Sequence, residues 1–107
     1  MPRLSNTPQE AAHISRIARG MPFGGVVWVN LKTGLRIDGV LTAERAGNNG
    51  GAGNWQFYGE LELTLRDGNK KTIDYLDINS VTDAWRELGE EYQRLGLISA
   101  VDFPGNA

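Results

Sequence analysis

Cysteine is absent from this 107-residue chain, histidine occurs once, and no apolar run approaches the ~20 residues needed to cross a bilayer as a helix. The missing cysteine excludes a disulfide framework, a thiolate metal site and a thiol nucleophile. It also points to a reducing compartment, so a cytoplasmic location and no membrane partner are expected. The single histidine, His13, excludes a two-histidine zinc site. A Ser-His-Asp arrangement would have to use that one residue, and the chain has no nucleophile-elbow pattern. Residues 1–7 lack the apolar core of a signal peptide. What is left for metal chemistry is an all-carboxylate set, Glu60 and Glu62 on one strand face with Asp74 across a hairpin. Such alternating carboxylates read as solvated surface. The expectation is therefore a noncatalytic chain with no metal and no cofactor.

Charge is unevenly placed. Residues 1–36 carry five basic side chains against Glu10 alone, whereas residues 37–107 carry six basic and twelve acidic ones. A net charge of −2 argues against tight nonspecific binding of nucleic acid, which depends on neutralising phosphates. The basic first third still allows a local patch.

The periodicities divide the chain into helix, sheet and helix. Thr7-Pro8-Gln9-Glu10 is a helix start, with a capping threonine, a proline in the first turn and a glutamate three residues on. Ile14, Ile17, Ala18 and Met21 form one apolar stripe, flanked by His13, Arg16 and Arg19, and Gly20 and Pro22 end the helix. Val26 to Leu31 is apolar on both faces, as in a strand covered on both sides. Leu35, Ile37, Gly39, Leu41 and Ala43 share one face of the next strand, in which Gly39 predicts a bend or a close approach. Trp55 to Arg66 alternates cleanly, with Phe57, Leu61 and Leu63 inward and Tyr58 outward; Gly59 predicts a second bend. Asp67-Gly68 marks a hairpin, and Ile73 and Tyr75 share a face beyond it. Residues 46–54, rich in glycine and asparagine, read as a hairpin tip. They lack the Gly-Lys-Ser/Thr ending of a phosphate cradle, and a strand follows them instead of a helix. Trp85, Leu88, Tyr92 and Leu95 give a second helical stripe, capped by Thr82 or Asp83 and ended by Gly96.

Residues 29–41, with Gly34 and Gly39 five apart and an apolar pair after the second, resemble the first motif of Sm, LSm and Hfq proteins. Residues 73–81 resemble the second motif, with apolar residues flanking a polar break at Asn79-Ser80. The resemblance spans about residues 7–81. It implies an α+β chain: a small, strongly bent, antiparallel five-stranded barrel of the Sm-like, SH3-type kind. The expected layout is a single Sm-like domain over residues 1–107, with a helix over about 7–20, the barrel over about 25–81, a helix over about 83–95 and a tail over 97–107. Departures accompany the match. Arg45 stands where Sm proteins have an aspartate, the glycine- and asparagine-rich loop replaces their Met-Asn pair, and Asp77, Ile78 and Asn79 replace their Arg-Gly. The resemblance implies RNA, or alternatively another protein, as partner, and a homo-oligomer. For RNA, His13, Arg16, Arg19, Lys32 and Arg36 would meet phosphates, while Asn48, Asn49 and Trp55 would lie near bases.

Overall fold

The computed structural model describes residues 3–22, 25–48 and 56–98. Helix α1 covers Pro8–Arg19. Thr7 Oγ1 accepts from the Glu10 N–H at 3.1 Å, and Glu10 Oε1 accepts from the Asn6 N–H at 2.6 Å. The capping box is thus shifted back by one residue on its return bond. Ile14 and Ile17 are buried, with Ala18 and Met21 packed beside them, as the stripe predicts.

Five antiparallel strands follow: β1 (Gly25–Leu31), β2 (Arg36–Asn48), β3 (Phe57–Thr64), β4 (Lys70–Asp74) and β5 (Ile78–Asp83). A 3-10 turn, Tyr75–Asp77, joins the last two, and helix α2 (Trp85–Arg94) ends the order. The sheet order is β4-β3-β2-β1-β5, so β4 and β5 are its edges. Alternation along β1 separates two cores. Val27 and Val29 face Ile14, Ile17, Leu61, Leu63, Ile73, Tyr75 and Ile78. Val26 faces Val40, Ala84, Tyr92 and Ile98, with Trp28 packed alongside. Each large side chain fully buried here contributes roughly 1.5–3 kcal/mol.

Three local expectations are corrected. Leu35 is 65% exposed in the β1–β2 turn and shares no inward face with Ile37. Strand β2 starts at Arg36 and runs through Ala46, Gly47 and Asn48, which the composition assigned to the loop. Cross-strand pairing as far as Asn48 with Phe57 overrides the poor strand propensity of glycine and asparagine there. Strand β3 starts at Phe57; Trp55 and Asn49 lie outside the described residues.

Among the described residues, the pairing of β1 with β2 reaches Leu41, the partner of Gly25. A bulge between Leu41 and Ala43 follows, where the Thr42 hydroxyl lies 3.2 Å from Glu62 O and 2.9 Å from Glu62 Oε1. Beyond it β3 stays paired with β4 as far as Glu60 with Asp74, and among the described residues only Ala46–Asn48 and Phe57–Gly59 run on as a two-stranded arm. The N-terminal segment braces that arm. The Ser5 N–H donates to Phe57 O at 2.8 Å, and Ser5 Oγ accepts from the Phe57 N–H at 2.9 Å.

Helix α2 lies on the opposite face of β1 from α1. Asp83 Oδ1 accepts from the Trp85 N–H at 2.9 Å, so Asp83 holds the start although Ala84 is the cap residue. Gly96, at φ 77°, ends the helix. Its N–H donates to Gln93 O and that of Leu97 to Tyr92 O. A polar latch fixes α2 to the sheet. The Tyr92 hydroxyl and Arg66 Nε both donate to Asp38 Oδ2, at 2.5 and 3.0 Å, and Arg66 Nη1 donates to Glu91 Oε1 at 2.8 Å.

Candidate binding site

The basic side chains picked out by the sequence do not form one surface. His13 points inward. Its Nε2 lies 2.7 Å from Ile78 O and 3.1 Å from Tyr75 O, and Arg16 Nη2 lies 2.8 Å from its Nδ1. Carbonyls only accept and a guanidinium only donates, so the proton sits on Nε2. His13 therefore ties α1 to the 3-10 turn and to β5. Arg19 is exposed near the end of α1 and makes no ion pair among the described residues. Arg36 stacks on Trp28, its guanidinium carbon 4.3 Å from the ring centroid, and its Nε donates to Asn30 Oδ1 at 3.1 Å. Because Trp28 packs against the core under α2, Arg36 lies across the sheet from Arg16 and Arg19. Lys32 sits at the β1–β2 turn, its backbone N–H on Asp77 O at 3.0 Å. Asn48 closes the described part of β2.

A concavity lies elsewhere. A cleft of about 740 Å³ opens between the N-terminal segment, the arm and the 3-10 turn, lined by Arg3, Leu4, Asn6, Glu10, Arg45, Gln56, Tyr58 and Leu76. Its two arginines and Gln56 are already engaged. Arg3 Nη2 donates to Asp77 Oδ1 at 2.6 Å, and Arg3 Nε lies 3.6 Å from Asp74 Oδ2. The hydrogen bond that Arg3 donates to Asp77 raises the Arg3 pKa above its ordinary value. Arg45 Nε lies 3.7 Å from Glu60 Oε1, and Gln56 Nε2 donates to Ser5 O at 2.9 Å. Tyr58 offers an aromatic face and Leu4 an exposed apolar one. The arrangement combines apolar, amide and aromatic surface with guanidinium groups that are matched by carboxylates.

Of these residues, the sequence marked Tyr58 as outward-facing, Glu10 as part of the helix start and Arg45 as a departure from the Sm pattern. Arg3, Leu4 and Asn6 carried no signal, because a short segment before a helix has no periodicity to read. Their role depends on Ser5 pairing with Phe57, 52 residues away.

The carboxylates Glu60, Glu62 and Asp74 are dispersed among partners. Glu60 faces Arg45, Glu62 faces Lys70, and Asp74 Oδ1 accepts from the Leu76 N–H. Among the described residues, no group of three or more histidines or carboxylates is placed to hold a metal ion. No described helix is long and apolar enough to cross a membrane.

No protein-family model and no curated protein sequence matches the chain. Among solved structures, it is similar to the crystal structure of XC5848 from Xanthomonas campestris, which adopts a novel variant of the Sm-like motif. The identity is 14% and the TM-score 0.58, over 76% of this chain and 91% of that one. With the strand order, the N-terminal helix and the two motif glycines, this likeness identifies the architecture as a divergent Sm-like fold.

Proposed function

We propose that the chain is a noncatalytic binding module whose cleft takes a segment of a protein partner. One observation carries this reading: both arginines of the cleft already face carboxylates, Arg3 facing Asp74 and Asp77 and Arg45 facing Glu60. A polyanion would have to displace those acids, whereas a peptide presents apolar, amide and mixed-charge groups that match the lining. The placement of Arg36 across the sheet from Arg16 and Arg19 also supports it, since no continuous phosphate track joins them.

The test has two arms. Purified protein is sized by light scattering with absorbance at 260 and 280 nm, then titrated into a fluorescein-labelled uridine-rich single-stranded RNA. The expected outcome is a nucleic-acid-free particle and no RNA binding at about 50 mM salt. Overturning it takes RNA binding that falls steeply towards about 200 mM salt and is lost when Arg16 and Arg19 are both changed to Glu. In the second arm, peptides selected from a displayed random library should shift the amide resonances of Gln56 and Tyr58 and lose affinity for a Tyr58→Ala variant.

A further inference from the structure

Past the bulge at Thr42, β2 pairs with β3 on one side only. The last described pair of β1 with β2 is Gly25–Leu41, and among the described residues no strand continues along the other side. The edge of β2 from Ala43 to Gly47 therefore presents its outward backbone groups unpaired by any described strand. Beside it runs a groove of about 480 Å³, walled by Ala18, Met21, Pro22 and Leu41 and rimmed by Arg19 and Glu44.

Charge selects the occupant. Glu44 is taken up, since its Oε1 accepts from the Tyr75 hydroxyl at 2.5 Å. Arg19 makes no ion pair among the described residues. Arg45, in the middle of the edge, faces Glu60 at 3.7 Å, but its side chain is 72% exposed, so its guanidinium has room for one further carboxylate beside Glu60. A second copy docking about a two-fold axis centred on this edge would set Arg45 opposite Arg45, and like charges directly opposed across strands are destabilising. A carboxylate in that place would instead complete an acid–Arg45–acid row.

We propose that the Ala43–Gly47 edge of β2 accepts, by strand addition, an extended acidic segment of a partner protein. Backbone bonds supply the affinity, Arg45 selects a carboxylate on one face, and the groove takes an apolar side chain on the other. Arg19, at the groove rim, attracts the same acidic segment. The inference rests on the reading of this chain as a protein-binding module, but it uses a surface on the other side of the arm from the cleft, with only Arg45 common to the two.

The probe is a fluorescein-labelled peptide of about nine residues alternating valine and glutamate, with a control of the same sequence N-methylated at every second backbone nitrogen. Binding is read by anisotropy, and its location by amide resonances. The proposal expects binding of the first peptide, shifts confined to residues 18–21 and 41–47, and no binding of the N-methylated control. Arg19→Glu and Arg45→Glu should each weaken binding by roughly tenfold, and Arg45→Glu should turn preference towards a valine–lysine peptide. Thermal melts confirm that both surface variants fold. Equal binding of the N-methylated peptide, indifference to Arg45→Glu, or no binding at about 1 mM would overturn the proposal. Shifts at Gln56 and Tyr58 in place of residues 41–47 would overturn the edge while sparing the cleft. Salt-sensitive RNA binding with no peptide bound anywhere would remove both.

Discussion

Replacing Gly59 by alanine tests why that glycine is there. Gly59 does not have a positive φ, so no conformational need excludes a side chain. Space does: a Cβ built on it would lie 2.1 Å from Tyr75 Cδ2 and 2.5 Å from Cε2. Tyr75 is fully buried and its hydroxyl is held by Glu44, so its ring cannot swing into solvent. Inserting one methyl group into such a site costs about 3 kcal/mol, the upper part of the range for overpacking. For a chain of this size that lowers the melting temperature by roughly 10–15 °C. The assay is a thermal melt with a urea titration on four chains: parent, Gly59→Ala, Tyr75→Leu and the double variant. Against a Tyr75→Leu background, Gly59→Ala should cost about 1 kcal/mol or less, a coupling of about 2 kcal/mol. Gly47→Ala is the contrast, because its Cβ would meet the far end of Tyr58, the hydroxyl at 2.9 Å and Cζ at 3.2 Å, on a ring that can move. A Gly59→Ala melt within about 3 °C of the parent, or the same loss with and without the Tyr75 ring, would refute the close-approach argument.

The latch on α2 predicts a pH dependence. Burial alone would raise the Asp38 pKa, but hydrogen bonds from Tyr92 and Arg66 outweigh it and hold the carboxyl below its usual range. Its stabilisation is then complete above the unfolded-state value and lost as pH falls through the lower folded one. Asp38→Asn should cost about 1.5–3 kcal/mol at pH 7 and progressively less as pH falls below the usual carboxylate range, read from urea midpoints; a constant difference would contradict it. Burial, and then Glu44 and Asp38 respectively, push the Tyr75 and Tyr92 hydroxyls well above the ordinary tyrosine value. Alkaline difference spectra should show both ionising only as the chain unfolds, and reversible ionisation in the folded chain would count against their burial. His13→Ala removes the imidazole donor from Ile78 O and from Tyr75 O, which keeps the Ile78 N–H, and should cost about 1–3 kcal/mol by thermal melt. An unchanged melt would mean those carbonyls find another donor. Gly34 sits at φ 95° in open space, so Gly34→Ala should cost about 1 kcal/mol through backbone strain alone, and a loss well above that would show a packing role.

The two motif glycines show how far the sequence was legible. Their spacing was readable, but their reasons differ. Gly34 serves a left-handed turn, whereas a Cβ on Gly39 would stand 3.0 Å from Leu63 Cβ and 3.1 Å from Thr64 O. Period-two alternation placed Leu61, Leu63, Ile73 and Tyr75 inward correctly, because each buried face has one clear pattern. It failed at Ala46–Asn48, where strand pairing comes from β3 and not from local propensity. The basic flank of α1 was visible, but the inward turn of His13 was not, since it depends on carbonyls 62 and 65 residues away. The cleft escaped notice for the same reason: its walls meet only after the N-terminal segment lies along Phe57.

Strand β1 stands between the two cores, with Val26 sealed beneath α2 and Val27 and Val29 sealed beneath α1. Opening either helix still leaves the strand covered on its other side and paired with β2. Its amide protons should therefore exchange with solvent only through global unfolding, while those of α2, held by one short face and the Asp38 latch, exchange through an earlier, partial opening. The slowest-exchanging amides then mark the length of β1 and set the free energy of the whole fold.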